Sequence, residues 1–261
     1  MRHDSSTKSA HDNWDEHWSR YAVATAQNPA QRMRYALAEK LFAARTDART
    51  PRVLDIGSGQ GDLLQRLSNS FPQAELLGFE MSETGVEISR KKVSGAKFLV
   101  VDLYKPTAEA DICVNWATDA ICSEVLEHLD SPQLFLTNAR RFLATDARLI
   151  VTVPGGPMSA FDRHIGHRQH FTRRSISSLL EAAGFVVDRT YLSGFPFFNL
   201  YRCVVIARGD RLAEDVAVGY QGKSAYLAGI VMTMFRGLFR FNMFNSPFGW
   251  QVVAVARKSG S

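Results

Sequence analysis

Val53–Gly61, reading VLDIGSGQG, is the stretch that decides how this chain is read. An apolar β-type run broken by one aspartate leads straight into Gly57, Gly59 and Gly61, and a helical pattern, Asp62–Ser70, follows. Glycines at the end of a strand let the backbone turn sharply and approach a ligand, while the start of the next helix offers unpaired N–H groups. A nucleotide-like ligand is the expected occupant. The dinucleotide fingerprint G-x-G-x-x-G is not met, because Asp62 stands at its sixth position.

Outward from that loop, strand and helix patterns alternate. Val53–Ile56, Ala74–Phe79, Ala96–Val101, Ala120–Ser123, Arg148–Val153, Phe185–Tyr191 and Trp250–Ala256 read as strands. Helices are expected at Asp62–Ser70, Glu83–Lys92, Ser131–Leu143 with Pro132 in its first turn, and Arg173–Ala183, stopped by Gly184. Such alternation predicts an α/β fold, a Rossmann-like seven-stranded and mostly parallel sheet with helices on both faces. Ahead of it, Met33, Ala36, Leu37, Leu41 and Phe42 recur at helical spacing and predict an amphipathic helix over Ala30–Ala44. Trp14, Trp18 and Tyr21 mark a segment that must pack against something, whereas residues 1–12 are polar and expected to be loose. The expected organisation is a helical cap (1–49), a core (50–192), an aromatic-rich insertion or lid (193–249) and a last core strand (250–258).

Composition limits the function classes. With 261 residues, 46% of them hydrophobic, the chain suits one large α/β domain with a decoration. The net charge of +5 is scattered, so no nucleic-acid partner is expected. Cys113, Cys122 and Cys203 lack C-x-x-C spacing and read as reduced core residues, which suggests a cytoplasmic protein. The polar start MRHDSSTKSAHDNWDEHW has no apolar stretch of signal-peptide type.

Two acids sharpen the ligand. Glu80 at the end of the second strand can accept both hydroxyls of a ribose, and Asp102 after the third suits the exocyclic amine of an adenine lying across the sheet. The glycine loop carries no Lys or Arg, as expected for a ligand without phosphate. Taken together in order, VLDIGSGQG, LLGFEMSE, FLVVDL and ICSEVLEHLDSP resemble the successive motifs of class I S-adenosylmethionine-dependent methyltransferases, particularly the branch containing ubiquinone-biosynthesis O-methyltransferases and related small-molecule enzymes. The resemblance covers about residues 50–192. It implies S-adenosyl-L-methionine as cofactor and an antiparallel last strand. It implies further that Asp55, Gly57 and Gly59 hold the methionine end, Glu80 the ribose, Asp102 and the Leu103 backbone the adenine, with Ser123 and Glu124 lining the sulfonium side. Asp55 could equally brace the loop, and Glu124 and His128 fit a structural role at a helix start.

A sulfonium methyl is already activated, so such an enzyme mainly has to position its nucleophile. A base is needed only if the acceptor is a hydroxyl. The segment after the fifth strand, VPGGPMSAFDRHIGHRQHFT, carries Asp162, His164, His167 and His170 and leaves the sheet at the glycine-loop edge. His164, His167 and His170 are therefore the candidate bases. The competing readings are that they order a loop whose Thr172 caps the next helix, or that they form a metal site; no usual ligand set is evident, and no metal is expected. Gly166–Thr172, GHRQHFT, matches a Gly-His-x-x-x-Phe-Thr pattern common in relatives, which favours a family-wide loop role.

The insertion opens with Phe195, Phe197, Phe198 and Tyr201, too dense for an exposed loop, and continues into Ala225–Phe235, too short to span a bilayer. It reads as a helical lid, an apolar acceptor pocket or a helix for peripheral membrane contact rimmed by Arg236 and Arg240. The expected function is methyl transfer to a small or lipid-like acceptor, most naturally at a hydroxyl oxygen. The rivals are a catalytically weak cofactor-binding or scaffold protein of the same fold and, behind it, an NAD-dependent oxidoreductase.

Overall fold

The computed structural model describes residues 13–19, 28–44, 50–105, 108–218 and 222–260, with side chains described except at 210–218 and 222–227. The expectations for residues 1–12 and for Tyr21 lie outside them. A short helix α1 spans residues 14–19 and α2 spans Pro29–Ala43. The core then runs β1 (Arg52–Ile56), α3 (Asp62–Ser70), β2 (Glu75–Glu80), α4 (Glu83–Lys92), β3 (Ala96–Val100), α5 (Ala108–Asp111), β4 (Ala117–Ser123), α6 (Pro132–Ala139) and β5 (Leu143–Pro154). It continues through α7 (Ala160–His164), α8 (Arg173–Ala182), β6 (Phe185–Ser193), α9 (Phe197–Val218), α10 (Gly222–Leu238) and β7 (Gln251–Lys258).

The seven strands form one sheet in the order β3-β2-β1-β4-β5-β7-β6, and only the pairings made by β7 are antiparallel. The chain turns toward β2 and β3 on one side of β1 and toward β4 and β5 on the other. The switch point where α/β folds bind ligands therefore lies between β1 and β4. There Ile56 pairs with Phe79 and with Cys122, so the glycine loop, Glu80 and Ser123 leave the sheet along one edge.

Alternation along each strand builds two cores. Leu54, Ile56, Leu77, Phe79 and Val151 join Leu136 of α6 and Leu180 of α8 on one face. On the other, Val53, Leu76, Ile121 and Ile150 meet Leu37 and Phe42 of α2, Leu64 of α3 and two insertion residues, Phe198 and Phe235. The insertion thus folds as two helices whose aromatic side packs on the α2 layer: Tyr201 and Phe235 rings lie 5.3 Å apart. Gly209, at φ 44° and ψ −124°, breaks α9.

Several boundaries differ from the sequence reading. β4 begins at Ala117 because Thr118 and Asp119 find partners in the sheet: the Thr118 hydroxyl accepts the Arg52 N–H at 3.0 Å, and Asp119 pairs with Arg148 at 2.9 Å. β5 begins at Leu143, passing through Asp146 with φ 58°. The α6 helix stops at Ala139, and a 3-10 turn, Arg140–Phe142, delivers buried Phe142 to the core. Cys113 and Cys122 are buried, but Cys203 is exposed on α9. Thr172 caps α8 by accepting the Ser175 N–H at 3.1 Å, as expected. Among the described residues no helix is long and apolar enough to cross a membrane.

Candidate active site

The glycine loop is shaped by its own backbone. Gly57, Gly59 and Gly61 have φ of 75°, 53° and 79°, and the N–H groups of Gly57 and Ser58 both donate to the Phe79 carbonyl at 2.8 and 2.9 Å. A Cβ on Gly59 would meet the Trp18 ring at 2.6 Å, so both conformation and space demand glycine there. Glu80 holds the loop to β2: its carboxylate accepts the Gly59 N–H at 2.8 Å and the Ser82 N–H at 2.9 Å. Burial pushes its pKa up, against the pull of those N–H donors. Asp55 lies buried under the loop, and burial, then the charge of Glu80, push it up to about 8.

A cavity of about 100 Å³ opens beside the loop, walled by Gly57, Glu80, Asp102, Leu103, Glu124 and His128 among others. Asp102 turns the chain by accepting the Tyr104 N–H at 2.8 Å, and the Leu103 carbonyl is fixed by Asn138 at 2.7 Å. Of the expected cofactor residues, Gly57, Glu80, Asp102, Leu103 and Glu124 line this cavity; Asp55, Gly59 and Ser123 do not. Gly59 lies under Trp18, and the Ser123 hydroxyl is paired with that of Thr152 at 2.8 Å.

The packing partner of the N-terminal tryptophans is this cavity. Trp14 and Trp18 of α1 form part of its wall, and Asp15 pins α1 to α4 by accepting the Ser82 hydroxyl at 2.6 Å and the Thr84 N–H at 3.0 Å. Pockets for ligands of nucleoside size run from roughly 300 Å³ upward. The glycine cradle and the two acids fit an adenosyl ligand chemically, and Trp14 and Trp18 narrow the cavity beside them.

Glu124, at φ 57°, turns out of β4 and is held from three elements. Arg34 of α2 pairs with it at 2.9 Å, Gln251 of β7 donates to it at 2.9 Å, and the Thr152 hydroxyl of β5 donates at 3.1 Å. The histidine loop meets this wall. His128 and His167 rings are 4.7 Å apart, and His167 Nδ1 lies 3.3 Å from His170 Nε2. Burial, with His128 and His170 nearby, holds His167 far below its usual value; burial holds His128 down to about 4. Both are neutral imidazoles at neutral pH. His164 stands apart, exposed at the end of α7.

The loop is anchored by a pair absent from the sequence reading. Asp162 caps α7 by accepting the Ser159 N–H and hydroxyl, each at 2.7 Å, and takes two hydrogen bonds from Arg202 of the insertion at 2.9 and 2.6 Å. Burial raises the Asp162 pKa, but the hydrogen bonds and charge of Arg202 outweigh it and hold the carboxyl well below the usual range. On the far side of Gly156, whose carbonyl receives His170 Nδ1 at 3.1 Å, an open groove of about 720 Å³ is lined by Phe171, Arg173, Phe195, Phe248 and Trp250.

Residues 29–190 match a family described as a methyltransferase domain. The chain belongs to that family. Among its relatives, the malonyl-[acyl-carrier protein] O-methyltransferase of Halalkalibacterium halodurans is 29% identical over 157 residues, covering 58% of this chain and 57% of that protein. The trans-aconitate 2-methyltransferase of Rhodococcus jostii is 30% identical over 149 residues, covering 56% of each. This chain therefore spans little more than half the length of the curated relatives it matches. A solved phosphoethanolamine N-methyltransferase 2 of Haemonchus contortus, in complex with S-adenosyl-L-methionine, shares the fold with a TM-score of 0.58 at 14% identity, over 95% of this chain and 60% of that one. The family match makes residues 29–190 a methyltransferase domain, and the fold is that of a solved methyltransferase that binds S-adenosyl-L-methionine. These relatives do not single out the ubiquinone branch.

Proposed function

We propose that the protein transfers a methyl group from S-adenosylmethionine to a hydroxyl oxygen of a small or lipid-like acceptor. The observation that carries this reading is the placement of neutral imidazoles, His128 and His167, against the wall of the cavity that Glu80, Asp102 and Glu124 line. When bound, the cofactor supplies a methyl group activated by its sulfonium. Glu80 would hold the ribose, Asp102 and the Leu103 backbone the adenine, and Gly57, Gly59 and Glu124 the sulfonium end.

The remaining work is positioning an oxygen within about 3–3.5 Å, in line, and accommodating its proton. His128 lines the cavity, the His167 ring packs on it at 4.7 Å and His170 keeps the His167 ring oriented, so the histidine cluster stands where an acceptor hydroxyl and its proton would come. His164, exposed, has no part in this. The insertion acts as the acceptor side: Phe195 and Phe248 with Trp250 give the groove an apolar lining, suited to the hydrocarbon part of an acceptor, and Arg173 adds a cation for an acidic end.

The test is release of S-adenosylhomocysteine by the purified protein over a panel of hydroxylated, carboxylated and amine acceptors. Turnover on a hydroxyl with mass-verified O-methyl product supports the reading. Turnover confined to amines or carbon acids overturns it, and cofactor binding without turnover on any of them favours the scaffold alternative.

A further inference from the structure

Behind the cavity wall, the 3-10 turn Leu126–His128 faces the loop after α7, and it carries Glu127, which has no part in the reading above. Glu127 is wholly buried, and neither oxygen of its carboxyl has a hydrogen-bond partner. Leaving such a group unpaired in the interior is costly, so it points to a ligand. His128 Nδ1 is likewise buried without a partner. The candidate ligating atoms of Glu127, His128 and His167 all lie within 4.8 Å of one another, with His167 Nε2 at 4.0 Å from Glu127 Oε1.

The hydrogen bonds around the rings fix where the lone pairs point. A carbonyl only accepts, so His170 Nδ1 carries the hydrogen toward Gly156, its Nε2 is an acceptor, and His167 Nδ1 must donate to it. That leaves the His167 Nε2 lone pair facing Glu127. The His128 ring hydrogen bond goes to the Gly166 backbone and, Nδ1 being unpartnered, leaves from Nε2; the Nδ1 lone pair is free. Imidazoles that donate outward to a carbonyl or a second ring, and offer the other nitrogen inward beside a carboxylate, are arranged as metal ligands are.

We propose that Glu127, His128 and His167 bind a divalent transition-metal ion of the Zn²⁺ type. Two imidazoles and one carboxylate form a three-ligand set that keeps coordination positions open. For bonds of about 2.0–2.1 Å at tetrahedral angles the ligand atoms would stand about 3.4 Å apart, so the site would close on the ion from the 4.0 Å seen between His167 Nε2 and Glu127 Oε1 and from at most 4.8 Å for the other pairs. The neighbouring triad of Asp162, His167 and His170 is less suited, since Asp162 already serves Arg202 and Ser159. His128 is in the wall of the cofactor cavity, so the ion would stand just behind that wall. There the ion would take the acceptor oxygen as a ligand and lower the pKa of its hydroxyl, supplying what two weakly basic imidazoles cannot. This last role rests on the O-methyl transfer reading; the metal site does not.

The experiment uses the full chain, stripped with chelator and titrated with Co²⁺ and with Zn²⁺, followed by visible d–d absorption, elemental analysis and calorimetry. The expected result is one equivalent per chain, with Glu127→Gln and His167→Ala each at least about tenfold weaker. His170→Gln, which touches no metal but frees the His167 tautomer, should lose about 10–100-fold. Cofactor titration of each variant checks that it is folded. No stoichiometric metal on the folded wild type, or equal affinity in folded Glu127→Gln, overturns the site. If metal binds but no hydroxyl is methylated, the site stands and the O-methyl reading falls. Full turnover on a hydroxyl by protein shown to be metal-free leaves that reading and overturns the metal's role in the reaction.

Discussion

Replacing Arg202 by Leu would test how the insertion holds the reaction loop. Asp162 is 1% exposed and Arg202 8%, and their two hydrogen bonds of 2.9 and 2.6 Å tie α9 to α7. Removing one partner of a buried pair strands the other charge and costs about 3–5 kcal/mol. For a domain of this size each kcal/mol moves Tm by about 2–4 °C, so calorimetry should show a drop on the order of 10 °C. The pH dependence has a definite sign. With Asp162 held below its ordinary value in the folded state, the pair's contribution is fully present above the unfolded pKa and is lost as pH falls through the depressed one. In Arg202→Leu the buried carboxyl, without its counter-ion, binds a proton more readily, so the gap in stability between wild type and variant should narrow on acidification. Asp162→Asn added to Arg202→Leu should recover part of the loss. A loss below about 1 kcal/mol, or a gap that widens as pH falls, would refute the reasoning.

Other outcomes follow from the same geometry. Trp18→Ala removes the ring lying on Gly59, so cofactor association in stopped-flow should be faster; a slower rate would mean that Trp18 is a wall of the bound state, not an obstacle to entry. His167→Ala should lower turnover by at least about a hundredfold with cofactor affinity unchanged, whereas His164→Ala leaves both intact. Equal effects of the two substitutions would remove the histidine cluster from the site. Cys203 should react with a thiol reagent in the folded protein while Cys113 and Cys122 do so only on unfolding, as counted by mass spectrometry.

What the sequence disclosed depended on periodic or clustered signals. β1, the glycine loop and α3 were legible because apolar alternation, three glycines and a helical pattern fall within one short stretch. Glu80 and Asp102 were legible as acids at strand ends, and both line the cavity. The early part of β4 was hidden because Thr118 and Asp119 break the apolar run, and only the partners Arg52 and Arg148 make them tolerable. Trp14 and Trp18 announced packing, but nothing local told that they pack over the cofactor loop. The ring of residues around Glu124 joins α2, β5 and β7, and the Asp162–Arg202 pair joins residues 40 positions apart. Single polar side chains paired at such separations leave no periodic trace. Two hints were nonetheless present: Gln251 as a polar residue opening the apolar strand WQVVAVA, and Glu127 as an acid directly after the apolar pair Val125–Leu126 in EVLEHL.

The central claim is that the glycine loop, held by Glu80, forms the cofactor site. Calorimetric titration of the full chain with S-adenosylmethionine, wild type against Glu80→Ala, tests it most directly. One site in the wild type, weakened at least tenfold in a variant that remains folded, is the predicted result; unchanged affinity in Glu80→Ala, or no binding by the wild type, would contradict it.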